Sequence, residues 1–423
     1  MSLCDLPAEM SVTPSKPDLP DGVPALQAFY LYMSNTCNLR CRHCWITPGF
    51  GDGKATPGDF VDPEALRQAV VEAKSLGLCS VKLTGGEPML HPRFMEIADM
   101  LTAEGMSMDM ETNGTLMTAE KASHLKEKTK VSFVSVSLDG PDARSHDSFR
   151  GVPGAFDAAL RGLDCLVSAG YKNCQVIMSV HRGNRHQVEE VVALATAHGA
   201  NSVKFNPVTR TGRATAMEES GEVMDFEEHL SFVRYVSEEL RPKAPVGIVL
   251  NMPPALSSMR DLLRTHGRTG DCGVLRILGI LGNGDIALCG IGRTCPELVY
   301  GKLGRDSIRE IWFSNPTILR LRRALTDVDT LPGVCAKCLF VRTCRTGCVA
   351  NNYSESGSLI ASTWLCAEAD RRGLFPAGRA QRRGLGTREK GKGEMDKWPV
   401  VGNEREARKD EVASTKDKAK QQR

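Results

Sequence analysis

The chain has 423 residues, 41% hydrophobic and 25% charged, with a formal net charge of +3. That balance is ordinary for a soluble globular protein long enough for two or three domains. No run of about 18 apolar residues occurs, which excludes a transmembrane helix, and the start MSLCDLPAEMSVTPSKPDLP has neither the basic head nor the apolar stretch of a secretory signal. A cytoplasmic location without a membrane partner is expected. Residues 1–26 are rich in Pro and polar side chains and read as an extended lead-in. From Ala28 the pattern alternates. AFYLYMS reads as a strand. Asp62-Pro63-Glu64 opens a helix with a capping carboxylate and Pro in the first turn, continuing through ALRQAVVEAKSLG. CSVKLT is the next strand, followed by a helix from about Pro92 to Glu104. MSMDMET, VSFVSVSLD, CQVIMSV and SVKFNPV follow as strands, separated by helical stretches such as GAFDAALRGLDCLVSAG and RHQVEEVVALATAHG.

Six strands alternating with helices indicate parallel β/α units, and right-handed crossovers wind these into a partial (β/α)6 TIM-like barrel over residues 27–245. Its active site belongs at the C-terminal ends of the strands. After Pro253 the strands shorten and Cys and Gly become dense. Residues 246–374 read as a bridging region and a small irregular domain held by metal centres. Residues 375–423 read as a disordered charged tail. From Ala377 to Arg423 there are 14 Lys/Arg against 8 Asp/Glu, a net of +6, which leaves −3 for the remainder. A solvated tail is the simplest account of this basic run, and nucleic acid is not an expected partner.

Fifteen cysteines need a reason other than disulfides in a reducing compartment. Cys4, Cys79, Cys165 and Cys174 stand alone and read as scattered thiols. The others cluster at short, regular spacings, which points to metal or cluster ligation. Cys37-x3-Cys41-x2-Cys44 lies in the loop after the first strand. Three thiolates there can hold three irons of a [4Fe–4S] cluster and leave one iron open. The competing account is zinc, which wants four ligands; His43 is the only nearby fourth, and it lies between two of the cysteines.

Further pieces stand at successive strand ends. Trp45 follows the third cysteine. Gly85-Gly86-Glu87-Pro88 ends the second strand, Thr112-Asn113-Gly114 the third, and Ser137-Leu138-Asp139-Gly140-Pro141 the fourth, before Arg150. Together with CxxxCxxC they resemble the signature of the radical S-adenosylmethionine (SAM) superfamily. The resemblance implies a cluster on Cys37, Cys41 and Cys44. It implies SAM contacts from Trp45, Gly85, Gly86, Glu87, Pro88, Asn113, Ser137, Asp139 and Arg150, with the Glu87 segment on the amino group, Ser137 and Asp139 on the ribose, and Arg150 on the carboxylate. It also implies reductive cleavage of SAM to a 5′-deoxyadenosyl radical. No separate catalytic residue can be named.

A second field runs Cys272-x11-Gly284-x4-Cys289, then Cys335-x2-Cys338-x5-Cys344-x3-Cys348-x17-Cys366. Its spacings resemble the SPASM pattern of that superfamily. The resemblance implies a first auxiliary [4Fe–4S] cluster on Cys272, Cys289 and Cys348 and a second on Cys335, Cys338, Cys344 and Cys366, making three clusters with the SAM-binding one. A fourth ligand of the first auxiliary cluster stays open between His266, Cys295 and none. Gly290 stands where the sulfatase-modifying branch carries an Asp base, which argues against that reaction. Cys41-Arg42-His43-Cys44-Trp45-Ile46 resembles SynChlorMet-cassette proteins of the SPASM type. The expected function is oxidative crosslinking of a ribosomally made peptide. The alternatives are a radical enzyme acting on a small molecule or cofactor precursor and, more remotely, a non-catalytic electron-transfer protein. A substrate peptide, a discrete leader-recognition protein and a flavodoxin- or ferredoxin-like reductant are the partners this implies.

Overall fold

The computed structural model describes residues 17, 19–51, 59–264 and 272–381. One open sheet of ten strands organises them. In chain order the strands are β1 (Ala28–Tyr32), β2 (Ser80–Thr84), β3 (Ser107–Thr112), β4 (Val131–Ser137), β5 (Cys174–Val180), β6 (Ser202–Pro207), β7 (Gly247–Leu250), β8 (Ile277–Ile280), β9 (Asp285–Ala287) and β10 (Val299–Lys302). Strands β1 to β7 pair in parallel, each with the next, and β8 pairs in parallel with the other side of β1. Strands β9 and β10 continue that side as an antiparallel meander. The sheet does not close on itself: its edges are β10 and β7.

The helices α1 (Pro63–Lys74), α2 (Phe94–Ala103), α3 (Ala119–Lys128), α4 (Ala143–Arg150), α5 (Ala155–Ser168) and α6 (Val188–Ala197) form in the crossovers. The start of α1 is as its sequence dictates: the Asp62 carboxylate accepts from the Ala65 N–H at 2.8 Å and Pro63 takes the first turn. Outward-facing strand residues such as Phe29, Leu31, Val81, Leu83, Met108 and Phe205 pack with these helices in the main core. Side chains alternate across a strand, so Tyr30, Lys82, Asp109, Glu111 and Lys204 point the other way, into the barrel. Buried parallel strands normally read apolar on both faces, and this inner face does not.

All six strands expected from the sequence form. Two differences concern the boundary near residue 245. Gly247–Leu250 is a seventh parallel strand of the barrel, too short and too closely flanked by Pro245 and Pro253 to show a period. The cysteine-rich region is also not a free-standing unit, because β8 is hydrogen-bonded directly to β1. At the far end, residues 375–381 dock rather than trail. Phe375 packs on the main core, Leu339 N–H donates to the Arg379 carbonyl at 2.9 Å, and Gln381 N–H donates to the Lys337 carbonyl at 2.7 Å. Most of the expected lead-in and the tail from residue 382 lie outside the described residues. No helix among the described residues is long and apolar enough to cross a membrane.

Candidate active site at the strand ends

The loop after β1 carries Cys37, Cys41 and Cys44, whose thiols face one another in a small buried cluster with Leu39 and Ala155. Burial, then Glu87 and the neighbouring thiols, push Cys37 up to about 12. Cys37 Sγ accepts from the Leu39 N–H at 3.4 Å, and Cys41 Sγ accepts from Arg150 Nη1 at 3.5 Å. His43 turns away from the thiols. It stacks on Phe149 at 4.5 Å, which stacks in turn on His181 at 4.7 Å, and its Nε2 meets Ser179 Oγ at 3.1 Å. Burial holds His43 neutral, near 3. The loop therefore offers three thiols and no fourth ligand from within itself, the donor set of an open-iron cluster.

Gly85 and Gly86 are needed for a close approach, and the group approached is the cysteine loop itself. A Cβ at Gly86 would lie 1.9 Å from the Thr36 carbonyl oxygen, and Gly85 has φ +140° with the Met33–Ser34 backbone 3.1 Å from a Cβ position. Gly86 N–H donates to Ser34 O at 2.9 Å and Glu87 N–H to Thr36 O at 3.0 Å. Glu87 is fully buried. One carboxylate oxygen accepts from Thr112 Oγ1 at 2.8 Å and Met89 N–H at 3.2 Å, the other from Asn113 N–H at 2.8 Å. Burial pushes it up to about 7. The Glu87 side chain thereby braces the ends of β2 and β3, because a buried carboxylate finds its hydrogen bonds inside the protein. Pro88 opens the buried single turn that follows. Asn113 donates to Asn38 Oδ1 at 2.8 Å and so ties the end of β3 to the same loop.

Asp139 and Arg150 form a buried ion pair at 2.5 Å. The other Asp139 oxygen accepts from Ser179 N–H at 2.7 Å. Asp139 is buried at the end of β4. Its pairing with Arg150 follows from the cost of leaving either charge buried alone. Ser137, half-buried on the inner face, makes no side-chain hydrogen bond among the described residues, so its hydroxyl is free for a ligand. Trp45 lies edge-to-face on Tyr32 with ring centres 6.4 Å apart and packs against the apolar cluster of the cysteine-rich region.

That region gathers its thiols into two groups. Cys272 hydrogen-bonds Cys348, and Cys289 lies within their field. The Cys272 contact, outweighing burial, lowers Cys348 to about 7. Cys335, Cys338, Cys344 and Cys366 form the other group, with Cys335 and Cys344 pushed up to about 12 and Cys366 to about 11 by burial. The structure thus brings together the same cysteines that the resemblance implies as two ligand sets. Among the described residues no group of three or more His, Cys, Asp or Glu side chains is placed to hold a metal ion. Cys295 lies beside Cys289, and His266 lies outside the described residues. A Cβ at Gly290 would meet the Tyr32 hydroxyl at 2.4 Å, so the phenol occupies the space a base there would fill.

One clamp was missed from sequence. Arg213 donates to Cys41 O at 3.2 Å and Pro48 O at 2.6 Å, its N–H donates to Cys44 O at 3.0 Å, and Gly212 (φ +64°) sits against the Cys44 and Trp45 carbonyls. Gly212-Arg213 stands in the loop that follows β6, and that place beyond a strand end was the available signal.

A family model for the radical SAM superfamily matches residues 31–195. An AdoMet-dependent heme synthase of Nitratidesulfovibrio vulgaris is 30% identical over 366 residues, covering 84% of this chain and 95% of that protein. The mycofactocin maturase MftC of Mycobacterium ulcerans is 28% identical over 345 residues, covering 76% and 82%. Among solved structures, Streptococcus suis SuiB bound to precursor peptide SuiA has the same fold, with a TM-score of 0.61 at 15% identity over 82% of this chain and 76% of that one.

Proposed function

From the premise that this chain belongs to the radical SAM superfamily, with a 30%-identical relative spanned over 95% of its length, we propose that it oxidatively modifies a ribosomally made peptide, forming a crosslink. The cofactors of the family are SAM and a [4Fe–4S] cluster. When bound, they supply one electron for SAM cleavage and a 5′-deoxyadenosyl radical for hydrogen abstraction. Cys37, Cys41 and Cys44 would hold that cluster. The Gly86, Asn113, Arg150 and Arg213 contacts fix the loop that carries them, and Ser137 offers a hydroxyl at the adjoining strand end. Gly85, Gly86 and Pro88 would present backbone to SAM, with Glu87 and Asp139 acting from behind as positioning residues and Trp45 walling the site toward the second cysteine field.

The grouping of seven further cysteines into two sets carries the oxidative reading. Two auxiliary clusters, on Cys272, Cys289 and Cys348 and on Cys335, Cys338, Cys344 and Cys366, would accept the electron that a product radical must lose. The open barrel edge at β7 suits a chain-like substrate, and likeness to a maturase and to a peptide-bound fold relative favours a peptide. A flavodoxin- or ferredoxin-like reductant and a separate leader-recognition protein complete this reading, in the cytoplasm. The likeness to heme synthases favours a second reading, a small-molecule precursor as substrate. Co-expression with a peptide encoded beside the gene separates them. The first reading expects a peptide lighter by two hydrogens. Unmodified peptide together with conversion of a small metabolite gives the second.

A further inference from the structure

The inner face of the barrel carries charge that none of these roles uses. Lys82 on β2 pairs with Glu111 on β3 at 2.5 Å, and its ammonium lies 5.3 Å from the centre of the Tyr30 ring. These side chains keep 24% and 34% of their exposure although both stand on inward-facing positions in the middle of the sheet, so the lumen is open to solvent. Lys204 stands on β6, three strands from Glu111, and faces the same space. The field of Glu111 reaches both lysines. Lys82 has its carboxylate. Lys204 has no hydrogen bond or ion pair among the described residues, though it is half-buried. Burial drives the Lys204 ammonium toward its neutral form and Glu111 draws it back. A half-buried cation without a partner is a costly arrangement, and a lumen-facing one is available to whatever enters.

We propose that the lumen recognises a carboxylate on the substrate, held by Lys204 opposite the Lys82–Glu111 pair. This rests on the barrel being the substrate chamber of the proposed enzyme and deepens that reading. The carboxylate can come from an acidic peptide side chain or from a small-molecule acid. Either source presents the same chemistry: an oxygen pair that accepts from the ammonium in a partly desolvated space, where such a bond is strongest.

The test is anaerobic acetylation of the reconstituted enzyme with an N-hydroxysuccinimide ester, reading modification of Lys204 by mass spectrometry. Three probes are compared: acetyl-Gly-Glu-Gly-amide, its Gln counterpart, and a propionate-bearing tetrapyrrole. At a saturating acidic probe, labelling of Lys204 is expected to slow about tenfold, the factor of one charge-assisted hydrogen bond, while the Gln peptide leaves it unchanged. Glu111→Gln should lower the acidic-probe concentration giving half protection several-fold, because it removes the competing anion; a merely structural Glu111 would not move that value in this direction. Equal protection by Glu and Gln peptides, or none by either acid, overturns the inference. Protection by the tetrapyrrole alone keeps the carboxylate site and removes the peptide reading. A peptide modified by the enzyme while no acid protects Lys204 keeps the peptide reading and removes the site.

Discussion

The segment most open to a decisive substitution is Gly86. Alanine there places a Cβ 1.9 Å from the Thr36 carbonyl oxygen and 2.5 Å from its carbon. Ordinary carbon contacts begin near about 3.5 Å, so the two backbones must part by more than about 1 Å. Parting breaks the Gly86-to-Ser34 and Glu87-to-Thr36 hydrogen bonds. Those bonds contribute about 1 kcal/mol each, and the forced fit costs a further 1–3 kcal/mol or so. The expected loss is therefore about 3–5 kcal/mol, concentrated at the loop that carries Cys37, Cys41 and Cys44. Denaturant unfolding reads the stability, and iron content with visible absorbance reads the cluster. Gly378→Ala is the control, since its Cβ meets nothing within 4 Å. Gly86→Ala should lose stability and the SAM-binding cluster while Gly378→Ala loses neither. Stability within about 1 kcal/mol of the parent and full iron content in Gly86→Ala would refute the idea that these glycines serve the cysteine loop.

Reconstitution should give about three four-iron clusters. Changing Cys37, Cys41 and Cys44 to Ala should leave about two and abolish SAM cleavage; iron near four per chain in the parent would contradict the two auxiliary sets. Arg213→Met removes two bonds from a guanidinium, at about 1.5–3 kcal/mol each, so SAM cleavage should fall and loop proteolysis rise, read by turnover and limited digestion. Asp109, pushed up to about 6 chiefly by burial, favours the folded state below its unfolded value near 4, and that contribution is lost as pH rises through 6. Asp109→Asn should therefore gain stability relative to the parent at pH 8 by up to about 3 kcal/mol and little at pH 5; a difference flat with pH in chemical denaturation would contradict this. Ending the chain at Gln381 should leave clusters and stability intact. Ending it at Leu374 should destabilise the Cys338 segment, through loss of the Leu339–Arg379 and Lys337–Gln381 bonds.

The strands were legible because each alternates around an apolar outer face, and α1 because Asp62 and Pro63 mark its start. The grouping of the second cysteine field was legible only through the family resemblance, since Cys272 and Cys348 stand 76 positions apart. Strand β7 was not, since four residues between prolines carry no period, and the docking of β8 on β1 joins residues some 250 positions apart. At the site, the motif residues stand at the strand ends where the sequence puts them. Glu87, Asp139 and Arg150 were read as contacts of SAM from the family resemblance. Sequence does not show that all three are buried and bonded to protein groups. Arg213 was overlooked because its partners are carbonyls of the cysteine loop: its place after β6 hints at the site, but a backbone acceptor leaves no mark in a motif.

Hydrogen transfer from the peptide is the most direct test of the proposed chemistry. The reduced, reconstituted enzyme is supplied with SAM and with the neighbouring-gene peptide deuterated at its carbon-bound positions. Deuterium should appear in 5′-deoxyadenosine in step with a peptide product lacking two hydrogens. Formation of unlabelled 5′-deoxyadenosine at the same rate, with the peptide unchanged, would contradict a peptide as the substrate.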